Sequence, residues 1–222
     1  MKPNRLWIAC ISSVALLTAC QGTDPKTNMT PREPKVTKPV ELPPSTAPTG
    51  GSTNAALGKY VTGPCPPNGQ YSADGLASLV DGRIGSSDYL DAEWLGWWYE
   101  DKPFVVTIDL GETTAIHSLG VHALTCSEVW ILLPRKVEFE LSTDGKNYTK
   151  LKTVSPSKKE LDNEESETKI LQLTGLKQSA RYVRVSVERY GELPEWHSAY
   201  GGGDGYDGEA WLFVDEIMVN AK

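Results

Sequence analysis

Apolar residues are distributed along the chain in three distinct ways. Residues 6–17 are apolar apart from Ser12 and Ser13, a run shorter than the ~20 residues a membrane-spanning helix needs. Between residues 21 and 53 apolar side chains are few and scattered. Beyond about Asn54 the pattern turns into short runs with period two. Val137, Phe139 and Leu141 alternate with Lys136, Glu138 and Glu140, and Val183, Val185 and Val187 alternate with Arg184, Ser186 and Glu188, as in strands with one buried face. Residues 104–110, 116–124 and 210–219 form further strand-like runs, and Asp144-Gly145 ahead of residues 148–154 marks a hairpin turn. Helical periodicity nowhere extends past two turns, and residues 156–167 read as a charged loop. Seven or more strands without crossover helices predict an all-β fold over residues 54–222, an antiparallel β-sandwich or jelly roll.

The head of the chain has a different logic. Lys2 and Arg5 precede the apolar run and the small residues Thr18 and Ala19 follow it, the order of an export signal over residues 1–19. Leu17-Thr18-Ala19-Cys20 resembles the bacterial lipobox, which implies that Cys20 becomes the lipidated first residue of the mature chain. An ordinary cleaved signal is the alternative. Acyl chains contribute ~0.8 kcal/mol per buried CH₂, so a multiply acylated cysteine holds a membrane firmly. Residues 20–53 then read as the lipidated cysteine followed by a tether carrying seven of the fifteen prolines. With too little apolar surface to offset its ordering entropy, such a stretch tends to extended polyproline II, reaching on the order of 100 Å at ~3.1 Å per residue. The expected location is the bacterial outer membrane or cell surface, held by lipid, with the leaflet left open.

The net charge is −7, and more negative once Lys2 and Arg5 are set aside. A surface of that sign repels phosphates and argues against nucleic acid as a partner. Catalytic signatures are also missing from the sequence. There are three histidines, His117, His122 and His197, and no Gly-x-Ser-x-Gly, His-Glu-x-x-His or Cys-x-x-Cys. Asp215 and Glu216 are neighbours on a predicted strand, so they are expected to face opposite sides and not to flank one glycosidic bond. The expectation is a non-catalytic domain.

Seven tryptophans and nine tyrosines supply candidate contact surface instead. If residues 93–99 are extended, Trp97 and Trp98 point to opposite faces and one of them is exposed. Trp196, His197 and Tyr200 lead into a glycine-rich run, residues 201–208, that includes Tyr206. A loop of this kind suits stacking on a sugar face with a hydrogen bond from the imidazole. It equally suits a packed lid over the sandwich edge. Asp204, Asp207 and Glu209 are weak candidates for a second cation, since their spacing is not that of an EF-hand. Cys65 and Cys126 are expected to pair as a disulfide beyond the inner membrane, adding ~4 kcal/mol in the chain-entropy model. The alternative is two buried free thiols.

Several ordered segments carry a family resemblance. They are Ala77-Ser-Leu-Val-Asp81-Gly82, Val106-Thr-Ile-Asp109-Leu110-Gly111, residues 134–145, Ala180-Arg181-Tyr182-Val183-Arg184-Val185 and Val214-Asp215-Glu216-Ile217. Together they resemble the coagulation factor 5/8 type C, or discoidin-like, domain, which includes family 32 carbohydrate-binding modules. Trp130-Ile131 with Pro134, and Pro194-Glu-Trp196-His197 ahead of residues 210–217, are similar to the C-terminal module of Bacteroidetes-type β-N-acetylhexosaminidases. The resemblance implies a jelly roll with ligand-binding loops at one end and a glycan as ligand, or alternatively a protein partner. It implies an inward-packed Trp94, and Trp211 on the last strand is expected to be core too. It also implies a structural calcium held by Asp81, Ser86 or Ser87, and Glu216 with backbone carbonyls, the hard-oxygen set calcium takes. The competing expectation is that Asp81 makes a turn with Gly82 and Glu216 pairs with an arginine.

Overall fold

In chain order the strands are β1 (Tyr60–Thr62), β2 (Leu95–Trp97), β3 (Phe104–Ile116), β4 (Leu119–Thr125), β5 (Lys136–Ser142), β6 (Thr149–Lys150), β7 (Glu167–Leu173), β8 (Gln178–Glu188) and β9 (Leu212–Val219). The computed structural model describes residues 54–64, 66–98, 103–202 and 207–221, all inside the unit that begins at Pro48. One sheet runs β1-β3-β8-β5-β6 and the other β2-β9-β4-β7, with every ladder antiparallel. The period-two runs dictate which face of the first sheet is buried. Phe104, Val106 and Ile108 lie opposite Val187, Val185 and Val183, which lie opposite Val137, Phe139 and Leu141 in turn. These β-branched and aromatic neighbours form an inner face that packs on Val121, Ala123, Val214, Ile217 and Leu171 of the second sheet. This is the expected all-β sandwich. No helix among the described residues is long and apolar enough to cross a membrane.

The second sheet departs from simple alternation because β4 is buried along its whole length. Its outer face is covered by the segment that precedes β2. Trp94 stacks on the imidazole of His122 at a ring separation of 5.4 Å, and a second cluster of Trp94, Leu124, Cys126, Ile131 and Phe213 forms there. A bulge in the β4–β9 ladder falls between His122 and Ala123, and Asp215 is the extra residue. Val214 and Ile217 both point into the main core, so Asp215 and Glu216 share the outer side. This corrects the expectation that the two carboxylates face opposite ways: a bulge adds one residue and breaks the period of two.

Elsewhere the structure adds local detail to the expected elements. Within the predicted charged loop, Lys158–Leu161 makes one helical turn, closed by a capping box between Ser157 and Glu160. Strand β3 runs past Leu110 to Ile116 through an irregularity after Asp109. There Gly111, at φ +86, takes the left-handed backbone that favours glycine. Asp109 secures it by accepting from the Gly111 amide and from Arg181. The expected disulfide has one of its two ends, Cys65, outside the described residues. Cys126 carries a free thiol, packed as a small hydrophobe among Trp94, Leu124 and Phe213.

Candidate functional site

The loops at the leading end of β9 and the trailing end of β4 build an aromatic groove. Trp130 closes the short 3-10 turn Ser127–Val129 in left-handed backbone, at φ 63, a conformation costing a non-glycine residue on the order of 1 kcal/mol. The turn is held by a hydrogen bond from the Trp130 amide to the Ser127 carbonyl, and the Trp130 carbonyl accepts from the Trp211 amide. The result is an indole left 37% exposed above a cavity of about 270 Å³. Trp211 and Phe213 form its floor, and Tyr71, Tyr89 and Gln70 its rim. Tyr71 meets Trp211 edge-on at 5.4 Å, and the half-buried Trp98 leans on Trp211 at 4.5 Å. The described lining residues include no acid, base or nucleophile stronger than a phenol. Such a surface can stack on a flat apolar face and offer a few hydrogen bonds.

The rings singled out by sequence fall into separate places. Trp97 is corrected: it is 2% exposed and packs on Phe104 at 4.1 Å, because β2 is covered on both faces and turns this ring into the main core. Trp98 is the member of the pair that reaches the groove, through Trp211. His197 is also corrected, being buried. Its Nδ1 accepts from the Ala199 amide and its Nε2 donates to the Ser127 carbonyl, so both nitrogens are engaged in pinning the 194–202 loop to the turn that carries Trp130. Trp196 and Tyr200 stand exposed on that loop, with Trp196 donating from its ring nitrogen to Asp162. Tyr206, Asp204 and Cys20 lie outside the described residues. Glu209 pairs with Arg189, and Asp207 accepts from the Glu209 amide. Sequence reasoning missed Trp130, Tyr71 and Tyr89, and placed Trp211 in the core when it is half-buried beneath the groove.

At the other end of β9, Asp81 and Glu216 come together. Glu216 is 1% exposed and accepts from the Asn54 side chain and the Gly82 amide. Burial, followed by the negative charges of Asp81 and Asp215, pushes its carboxyl up to about 8. No arginine or lysine among the described residues pairs with it. Asp81 makes the turn, accepting from the Arg83 amide. Ser86 is engaged within its own loop: its amide donates to Asp91, its hydroxyl accepts from the Asp88 amide and its carbonyl from Trp94. Asp215 is sealed against His122 and the Gly85 amide. Among the described residues, no cluster of three or more histidine, cysteine or carboxylate side chains is arranged to hold a metal. Asp81 and Glu216, which form no salt bridge among the described residues, could hold a hard cation only with carbonyls making up the rest of its shell.

Comparison with known proteins follows the same lines. No curated protein matches the chain in sequence. A fucose-binding module of Streptococcus pneumoniae is 17% identical over 78% of this chain and 97% of its own, with a TM-score of 0.50, and shares the fold. CpGH89CBM32-5 from Clostridium perfringens, solved with GalNAc-β-1,3-galactose, is 19% identical over 77% of this chain and all of its own, at a TM-score of 0.47. Chitosan-binding module 2 of a Paenibacillus sp. IK-5 chitosanase/glucanase, solved with chitotriose, is 16% identical over 75% of this chain and 98% of its own, at 0.45. Residues 67–201, more than half of the chain, match the F5/8 type C domain. The chain therefore belongs to the F5/8 type C domain family.

Proposed function

We propose that this chain is a non-catalytic carbohydrate-binding lipoprotein of the bacterial envelope, and that its glycan sits in the groove beneath Trp130. The observation that carries the reading is an exposed indole held in a strained backbone over other aromatic rings. Strain of that kind persists where the surrounding structure over-determines it, and it clusters at ligand contacts. The lipobox-like Leu17-Thr18-Ala19-Cys20 and the proline-rich stretch after it support a lipid anchor on a tether. The likeness to modules of β-N-acetylhexosaminidases makes N-acetylated hexosamines the first sugars to try. A structural calcium between Asp81 and Glu216 would neutralise the two carboxylates and tie the loop after Val80 to β9.

The test is a glycan array followed by calorimetry on the purified domain. Saccharide binding of micromolar to millimolar affinity is expected, falling at least about tenfold in Trp130→Ala, a loss of about 1.4 kcal/mol. Array-wide silence, with the domain folded, would overturn the sugar reading in favour of a protein partner. Turnover of any bound glycan would overturn the non-catalytic one.

A further inference from the structure

The turn that presents Trp130 is braced from outside by one imidazole. The Ser127 carbonyl accepts twice, from the Trp130 amide that closes the turn and from Nε2 of His197, while the Ser127 hydroxyl donates to the Glu164 carbonyl. On the other side of the ring, Nδ1 accepts from the Ala199 amide at 3.0 Å. Both partners are backbone groups whose roles cannot reverse, so the ring is held as the neutral tautomer with its hydrogen on Nε2. A second proton would have to sit on Nδ1, where the Ala199 N–H already points. Two donors cannot share that contact, and a ring only 7% exposed has little water to turn to.

The charged groups on the surrounding elements do not offset this. Glu128 on the turn and Glu195 on the loop are exposed, and Asp162 is engaged with Lys158 and with the ring nitrogen of Trp196. In the cluster against which Ala199 packs, Tyr190 lies under the Arg135 guanidinium, and Arg189 binds Glu209 and the Ala210 carbonyl. No carboxylate among the described residues forms an ion pair with His197.

Resting on the reading that the ligand sits beneath Trp130, we infer that His197 is the positioning residue of that site and makes its affinity depend on pH. With the imidazole neutral, the turn is fixed and the indole stands in place. Once protonated, the ring breaks from the Ala199 amide, the Ser127 carbonyl loses its second donor, and the indole is no longer held over Trp211 and Phe213. Affinity is full at neutral pH and falls in acid, across the range in which imidazoles titrate.

The experiment measures N-acetylgalactosamine and N-acetylglucosamine binding by calorimetry at about pH 7.5 and about pH 5, on the wild-type domain and His197→Gln. The glutamine side-chain amide can donate to Ser127 as Nε2 does, without titrating. NMR follows the His197 ring nitrogens and the hydrogen exchange of the Trp130 amide in the wild type over the same range. The wild type is expected to bind about tenfold more weakly in acid, with the Trp130 amide losing protection as His197 protonates, and His197→Gln to bind equally at both pH values. A flat wild-type profile, or an acid loss that persists in His197→Gln and so belongs to His117 or His122, would overturn the inference and leave the carbohydrate reading intact. If neither sugar binds at either pH, that result counts against the carbohydrate reading, and the NMR titration decides the role of His197. The same titration decides it if His197→Gln does not fold. Protection at Trp130 that is unchanged while His197 protonates would overturn it.

Discussion

At the scale of single residues, similar indoles do opposite work according to which way the backbone turns them. Trp97 is packed between the sheets on Phe104, so removing it leaves a cavity its neighbours cannot fill. Trp97→Ala is expected to lower unfolding stability by about 3–5 kcal/mol, read as a fall in the urea midpoint. Trp130→Ala, at a half-exposed position, is expected to change stability by less than about 1 kcal/mol while abolishing ligand binding. If the two variants exchange these behaviours, the assignment of core and groove is wrong. His197 belongs with Trp97 in this respect. An imidazole with one nitrogen accepting an amide and the other donating to a carbonyl has no capacity left for a ligand, and its contribution is to hold the loop that backs the Trp130 turn.

At the scale of elements, period two was legible wherever only one face is covered, and illegible where both are. β5 and β8 alternate cleanly in sequence because their outer faces meet water, which let their inner face be anticipated. The second sheet could not be read this way. Its outer face is sealed by Trp94 and its loop, and the bulge at Asp215 shifts the phase of β9, so that an adjacent pair of carboxylates lies on one side. Nothing local marks such a bulge, since it depends on a strand more than ninety residues away. The groove was hidden for the same reason. Trp130, Tyr71 and Trp211 come from three distant segments, whereas the Trp196–Tyr200 loop advertised itself by composition alone. The bulge also sets up the proposed cation clamp, by placing Glu216 against the loop that begins at Asp81. Chelator is expected to lower the melting temperature of the domain and calcium to restore it, with Glu216→Gln insensitive to both. A melting temperature indifferent to chelator and calcium in the wild type would dispose of the clamp.

At the scale of the whole domain, the chain enters at one end of the sandwich and the groove opens at the other. Asn54 is tied to the last residues of β9 through the Val219 amide and the Glu216 carboxylate, and the Ala55 amide donates to the Val219 carbonyl. Trp211, beneath the groove, immediately precedes the same strand. The eight residues of β9 at ~3.4 Å each set the two ends roughly 25 Å apart. Under the proposed attachment through the stretch before Asn54, the proposed groove would lie at the opposite end of β9 from Asn54. Anchoring and binding should then be separable. Cys20→Ser is expected to move the protein from the membrane fraction to the soluble fraction while leaving its sugar affinity unchanged, measured by fractionation and calorimetry on the same preparations. Trp130→Ala should do the reverse, staying with the membranes and no longer retaining glycan there. A Cys20→Ser protein that still sediments with membranes would remove the lipid anchor from this account.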